Sequence, residues 1–444
     1  MNGGNGAEEK RRVRVGSVAD WRGERVGPFE LTLRARGIEP DPAGSGVEVA
    51  SAIMVESIER VDGTGGAVAV PAFVNGHAHL DLSGLGPRGF DRAGGFTGWL
   101  DMVRTERPAG EASIREAVRT GVALSRAGGV AAVGDIAGVA DGRPTLEPWR
   151  TMREFGLAGV SFVEFFGFGA AEASGQRKIR DVLGDIDAVN EGPGWLASIG
   201  MGPHAPYSAS MSSYRLAVEL AARLGRGTRL STHLGETAIE RELIAEATGP
   251  HRGFLESLGL WNRAAEAELG RGAGPVSHTE PVLSEAAGRW VVAHMNDARD
   301  EDIAALARTG TSVAYCPRAS AYFGNEPAGG HRYREMAASG VNVCLGTDSI
   351  INLDTPERVS PIDDARLLHG RDGADPVELL RMLTVRGAAA LGLDEGLFTF
   401  ETGRSIAGLV LLEGEGRGLA GAMGGASEPE VVLLRGAAPS EERF

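Results

Sequence analysis

Eight apolar runs lie between residues 67 and 349, most of them separated by stretches of helical periodicity. They are AVAVPAFVNGHAH (67–79), GGVAAVGDI (128–136), AGVSFVEFFG (158–167), WLASIGMGPHAPYS (195–208), RLSTHLGE (229–236), WVVAHMN (290–296), SVAYCPRAS (312–320) and VNVCLGTDS (341–349). A strand that is apolar along its whole length is buried on both faces, the habit of a parallel sheet covered by helices. Helical spacing is clearest at 113–126, 212–224, 301–308 and 332–339. Eight such units predict an α/β fold, a (β/α)8 TIM barrel over residues 71–395. Shorter β-like runs at 12–15, 30–35 and 47–55 precede it, and 409–412 and 431–434 follow it. They are read as one small composite β-sandwich domain, formed by residues 1–70 and 396–444. Residues 377–393 read as a helix-rich close of the barrel, and 261–280 as a long, lid-like loop.

Charge and composition limit the partners. With 45 basic and 60 acidic residues the chain carries −15, which argues against a nucleic-acid or anionic-membrane partner. No run approaches the roughly 20 apolar residues of a membrane span. The opening MNGGNGAEEKRRVRV has no apolar stretch behind its charges, which argues against a secretory signal. Cys316 and Cys344 are too few for a disulfide framework, so a cytoplasmic location is expected. Only Lys10 and Lys178 are lysines, so chemistry requiring a buried lysine must use one of them.

Active sites of such barrels lie at the C-terminal ends of the strands. The first strand ends in His77-Ala78-His79, and alternation puts both imidazoles on one face. The fifth ends in His233, the sixth in His294 and the eighth in Asp348. A lone strand-end histidine is more often a hydrogen-bonding group than a ligand. Their gathering at the same end of successive strands favours a single divalent ion, zinc or iron(II), with a position left for water. His294 reads either as a ligand or as a group polarising that water. Glu236, three residues past His233, reads as a proton shuttle or as a helix-entry carboxylate. His204 faces substrate or is a hydrogen-bonded loop residue. Glu164 reaches the site or pairs with an arginine outside it. His251, His278 and His369 read as surface residues, and His331 is open to a substrate role.

Other motifs fail on context. GRGLAG (416–421) matches GxGxxG but lies in a Gly-rich tail without a strand–turn–helix unit. Neither lysine follows a glycine, so no Walker-type phosphate loop exists.

Taken in order, PAFVNGHAHLD, GPHAPYS, THLGE, VVAH, CPRAS and LGTDS resemble the markers of the amidohydrolase superfamily, most closely its cyclic-amidine deaminase and triazine hydrolase group. The resemblance runs from about Pro71 to Gly392, with a weaker echo in GRSIAGLVLL (403–412). It implies one metal ion held by His77, His79, His233 and Asp348, with Glu236 as proton shuttle, His294 orienting water and His204 contacting substrate. Lysine-bridged metal pairs are excluded by the position of Lys178, while a pair bridged by Glu164 stays open. Two departures stand out: Pro71-Ala72 replaces Pro-Gly, and CPRASAYFG replaces a Cys-Pro-Ser-Asn pattern beside the substrate pocket.

The expected function is hydrolytic deamination of a small aminated heterocycle, with hydroxide supplied at the metal and Glu236 protonating the adjacent ring nitrogen. AHMND and CPRASAYFG…HRYREM most resemble the aminofutalosine branch, implying an adenine nucleoside. Two alternatives are hydrolysis of chloride from a triazine or of an amide, and, from another class, a catalytically silent scaffold that has lost its ligands. A homodimer is one open assembly.

Overall fold

The structure, a computed structural model, describes residues 8–184, 195–414 and 418–436. Its strands are β1 (Glu8–Asp20), β2 (Gly23–Arg36), β3 (Glu39–Pro40), β4 (Glu48–Ala50), β5 (Ala52–Arg60), β6 (Val68–Pro71), β7 (Phe73–Ala78), β8 (Val130–Ala137), β9 (Ala158–Phe165), β10 (Ser198–Pro203), β11 (Leu230–Leu234), β12 (Trp290–His294), β13 (Ser312–Tyr315), β14 (Val343–Leu345), β15 (Gly408–Leu412) and β16 (Glu430–Arg435). They form two eight-stranded sheets.

β7 to β14 pair in sequence order, all parallel. Past the end of β14 the chain returns to β7: the Thr347 and Asp348 N–H groups both donate to the His77 carbonyl, at 3.0 and 3.1 Å. The amide of Asn75 adds a bond to Thr347 Oγ1 at 2.8 Å. These contacts close the expected (β/α)8 barrel at the end where its histidines lie. Every residue of β8 and β9 is buried, as a sheet covered on both faces requires. Space inside is tight: a Cβ on Gly346 would lie 2.9 Å from both His77 Cβ and Cys316 Sγ.

The other sheet has the order β3-β4-β16-β15-β6-β1-β2-β5 and joins both ends of the chain. β2 shows the alternation of a half-covered sheet, Leu31, Leu33 and Ala35 buried with Thr32 and Arg34 between them partly exposed. Those residues pack with Phe400, Ile406 and Leu409 from the far end of the sequence. Val55 N–H and Ile406 N–H bond across to Arg404 and Ile53 carbonyls, tying β5 to that returning segment.

Two sequence expectations need correction. The run 67–79 is two strands, because the chain changes partners at Ala72: its N–H bonds Gly408 O, whereas the Phe73 N–H bonds Gly129 O. Residues 377–393 are helix-rich as expected, with two helices, Pro376–Leu383 and Val385–Leu391, broken at Thr384 (φ −127°, ψ −97°). Segment 261–280 is no long loop. Asn262 Oδ1 caps a helix at Arg263–Glu268, and Pro275 opens another at Pro275–Glu285. Of the GRGLAG motif, Gly418–Gly424 is helical and residues 416–417 lie outside the described residues. Among the described residues no helix is long and apolar enough to cross a membrane.

Candidate active site

Each histidine at the mouth is placed by a strand end. His77 and Ala78 close β7, with His79 just beyond; His233 precedes the last residue of β11, and His294 ends β12. His294 and Asp348 adopt left-handed backbone (φ 75° and 59°), which costs a non-glycine residue of order 1–3 kcal/mol and turns both side chains off the strand line. Surrounding bonds hold them there. Met295 N–H donates to Leu234 O at 3.1 Å, and Asp348 N–H is one of the two bonds that close the barrel.

All eight residues singled out from the sequence meet at this end. His79 Nε2 lies 3.4 Å and His77 Nε2 4.0 Å from Asp348 Oδ1. His79 and His233 Nε2 atoms are 3.3 Å apart. Ligand atoms of His77, His233 and His294, of His77, His79 and Asp348, and of Glu164, His204 and His233 form three groups, each within 4.8 Å. Glu236 Oε1 is 3.8 Å from His294 Nε2, and Glu164 Oε1 is 3.9 Å from His204 Nε2. Lys178, by contrast, sits on the helix Glu172–Leu183, with its ammonium on Gly142 O.

Burial sets the protonation states. The imidazoles of His77, His79 and His294 are pushed well below 6.5, chiefly by loss of water and then by the neighbouring rings. His233 falls to about 4 and His204 to about 3 for the same first reason. Neutral imidazole is the form that binds a cation. Burial also raises Asp348 to about 7, and raises Glu236 well above 4.5, the charges of Asp348 and Glu240 adding to it. A group of carboxylates and imidazoles shifted toward neutrality in one cleft is the signature of a reactive centre.

Does this donor set fit a metal? His77 Nε2 is buried without a hydrogen-bond partner. His233 Nδ1 faces the His204 carbonyl at 3.1 Å, so it carries the proton and leaves Nε2 as a donor to a cation. At His79, Arg107 has only N–H groups to offer Nδ1 at 3.4 Å, so the His79 proton sits on Nε2, facing His233 Nε2. A cation there takes the other neutral tautomer of His79, with the proton moved to Nδ1. The set fits.

Sequence reasoning missed four contributors. Arg107 is buried where its guanidinium meets Asp81 at 3.4 Å, Glu164 at 3.3 Å and His79. Gly138 makes room for it, since a Cβ there would lie 1.7 Å from Arg107 Nη1. Glu240 accepts the N–H groups of Gly235 and Glu236 at 3.1 and 2.9 Å, fixing the turn that carries Glu236. Asn296 donates to the Glu236 carbonyl at 3.0 Å and accepts from Ser320 at 2.7 Å, so part of the CPRAS segment supports Glu236. Arg318 of that segment turns instead to buried Asp364. Glu236 does not cap the helix after it; Thr237 does.

The remaining histidines also differ from expectation. His251 is fully buried and stacks on Tyr207, with centroids 4.5 Å apart. His278 lies 3.6 Å from Glu268, and His369 bonds Ala374 O, both half-buried. His331 stacks on Tyr315 and donates to the His294 carbonyl at 2.8 Å, supporting the strand end, while its Nδ1 is buried without a partner.

The model of the Amidohydrolase family matches residues 68–432. The chain belongs to the amidohydrolase family. This confirms the resemblance carried by the six motifs. Aminodeoxyfutalosine deaminase of Deinococcus radiodurans is 29% identical over 354 residues, 74% of each chain. The 5-methylthioadenosine/S-adenosylhomocysteine deaminase of Symbiobacterium thermophilum is 27% identical, covering 80% of this chain and 75% of that one. The zinc-bound adenosine deaminase of Xanthomonas campestris shares the fold, with TM-score 0.65 and 16% identity over 97% of this amidohydrolase and 94% of that chain.

Proposed function

We propose that this amidohydrolase is a metal-dependent deaminase that releases ammonia from the adenine of a nucleoside. The observation carrying this reading is the pairing, in one buried site, of neutral imidazoles beside Asp348 with a high-pKa carboxyl, Glu236, 3.8 Å from His294. The two similar deaminases supply the substrate class, since both are named for adenosine-like compounds. We assign 71–395 to the catalytic unit, and the described residues of 1–70 and 396–444 to the composite β domain.

His77, His79, His233 and Asp348 would hold the ion, and zinc is the choice best supported by the bound zinc of the Xanthomonas enzyme. A divalent ion supplies, when bound, a water acidified toward about pH 7. The protein does the rest. Asp348 and His294 orient and accept the proton of the attacking water. Glu236, kept protonated by burial, donates to the ring nitrogen beside the amino-bearing carbon and passes a second proton to the departing amine. Water adds, the C–N bond breaks, and a carbonyl and ammonia remain. Arg107 holds Glu164 and the back of His79 in place. Glu164 and His204 line the substrate side.

The test is release of ammonia, chloride and carboxylate, measured side by side across aminated purines, adenine nucleosides, triazines and amides. Ammonia from an adenine nucleoside, abolished by chelation, is expected. Chloride or carboxylate alone would transfer the assignment to a different leaving group.

A further inference from the structure

The candidate site is overhung by a continuous run of rings. His204, packed 4.9 Å from His233, touches Tyr207 (5.5 Å), and Tyr207 stacks on His251 at 4.5 Å. From His251 the run passes to Phe96 at 5.9 Å, then Trp99 at 6.0 Å, then Phe323 at 5.0 Å. These rings come from separate segments: Tyr207 from the loop after β10, His251 from the helix Gly249–Ser257, Phe96 and Trp99 from the helix Gly95–Glu106, and Phe323 from the helix after β13. His204 and Tyr207 belong to the GPHAPYS motif and Phe323 to CPRASAYFG, whereas Phe96, Trp99 and His251 lie outside the shared motifs.

Two features distinguish this arc from ordinary core. The helix Gly95–Glu106 buries none of its residues fully, so Phe96 and Trp99 hold a face that is only half covered. The arc also contains polar atoms without partners. Trp99 Nε1 is buried and unpaired, and so are both nitrogens of His251, itself 0% exposed. An unsatisfied buried donor is destabilising, and a ligand acceptor removes that cost. Apolar ring surface with neutral N–H donors suits a flat, uncharged group bearing one acceptor. It offers little to a group carrying both an ammonium and a carboxylate, whose desolvation must be compensated.

Accepting the adenine-deaminase reading, on which this rests, we infer that the arc formed by Phe96, Trp99, His251 and Phe323 is the subsite for the substituent on the ribose of the nucleoside, and that it selects an uncharged apolar or aromatic substituent over a zwitterionic one. The purine then lies toward the imidazoles, and Trp99 and His251 meet the far end of the substrate.

The test compares kcat/KM for adenosine, methylthioadenosine, phenylthioadenosine and S-adenosylhomocysteine in the metal-loaded protein. Phenylthioadenosine is expected to exceed S-adenosylhomocysteine by at least about tenfold, the scale on which an apolar pocket discriminates. Trp99→Ala should lower the ratio of phenylthioadenosine to adenosine by about tenfold or more, the loss of one aromatic wall. Trp99→Phe keeps the ring while deleting the donor, and should lower that ratio less. A ratio within about threefold of the parent in Trp99→Ala, or a preference for S-adenosylhomocysteine, overturns the subsite while leaving the deaminase standing. No ammonia from any of the four nucleosides overturns the reaction assignment and the subsite together.

Discussion

The molecule contains two sheets of eight strands that use charge in opposite ways. The composite sheet carries ion pairs toward its surface: Lys10–Glu56, Arg34–Glu56 and Arg36–Glu8 are each partly exposed, over an apolar cluster that includes Leu31, Leu33 and Ile53. The barrel draws ionisable groups inward at one end, where Asp81, Glu164, Glu236, Asp348 and Arg107 are all nearly inaccessible to water. Strand number and apolar content do not separate the two. What does is where burial pushes carboxyls and imidazoles toward neutrality, and that difference locates the chemistry.

The contrast predicts very unequal responses to substitution. Glu236→Gln should cut turnover by about 10²–10⁴-fold, the range of general acid–base catalysis, with metal content intact. Unchanged turnover would remove Glu236 from its role. Next in size is Arg107→Met, which leaves Asp81 and Glu164 buried without their counter-ion. Breaking a buried pair in this way costs about 3–5 kcal/mol, read as a fall in melting temperature. A variant that melts like the parent would show that the cluster has another source of neutrality.

His251 sharpens the comparison through pH. Burial lowers its pKa from 6.5 to about 4, so the folded state holds it neutral where the unfolded chain would protonate it. Its contribution is therefore complete above pH 6.5 and is lost as pH falls toward 4, up to about 3 kcal/mol at roughly 1.4 kcal/mol per pH unit. His251→Phe keeps a ring against Tyr207 and should make acid unfolding shallower in that window. An identical pH profile would contradict the burial. The smallest effect belongs to the composite sheet. Lys10→Ala removes the exposed ammonium that bonds Glu56 at 2.7 Å, and should change neither melting nor turnover measurably.

How far the sequence reveals this site follows from the kind of residue involved. His77, His79, His233, His294 and Asp348 stand at the ends of apolar runs, and a ligand-type residue at a strand end is visible in the primary structure. Arg107 is not. It lies 28 residues from His79 and 57 from Glu164, among many other arginines, and only folding brings the three together. Glu240 and Asn296 act on backbone atoms of Glu236 and nearby residues, so their local sequence carries no chemical signal. His251 sits among polar neighbours in the chain, yet Phe96 and Tyr207 from distant segments bury it. The barrel strands were legible from their unbroken apolar character. The partner exchange at Ala72 was not, because hydrophobicity does not say which sheet a strand joins.

The proposed chemistry needs a metal ion at the convergence of His77, His79, His233 and Asp348. Elemental analysis of the purified protein, paired with ammonia release before and after chelation, tests it most directly. The prediction is about one zinc or iron per chain, reduced sharply in His79→Asn and Asp348→Asn, with ammonia release lost on chelation and restored by adding the ion back. Full ammonia release from protein stripped of metal would contradict it.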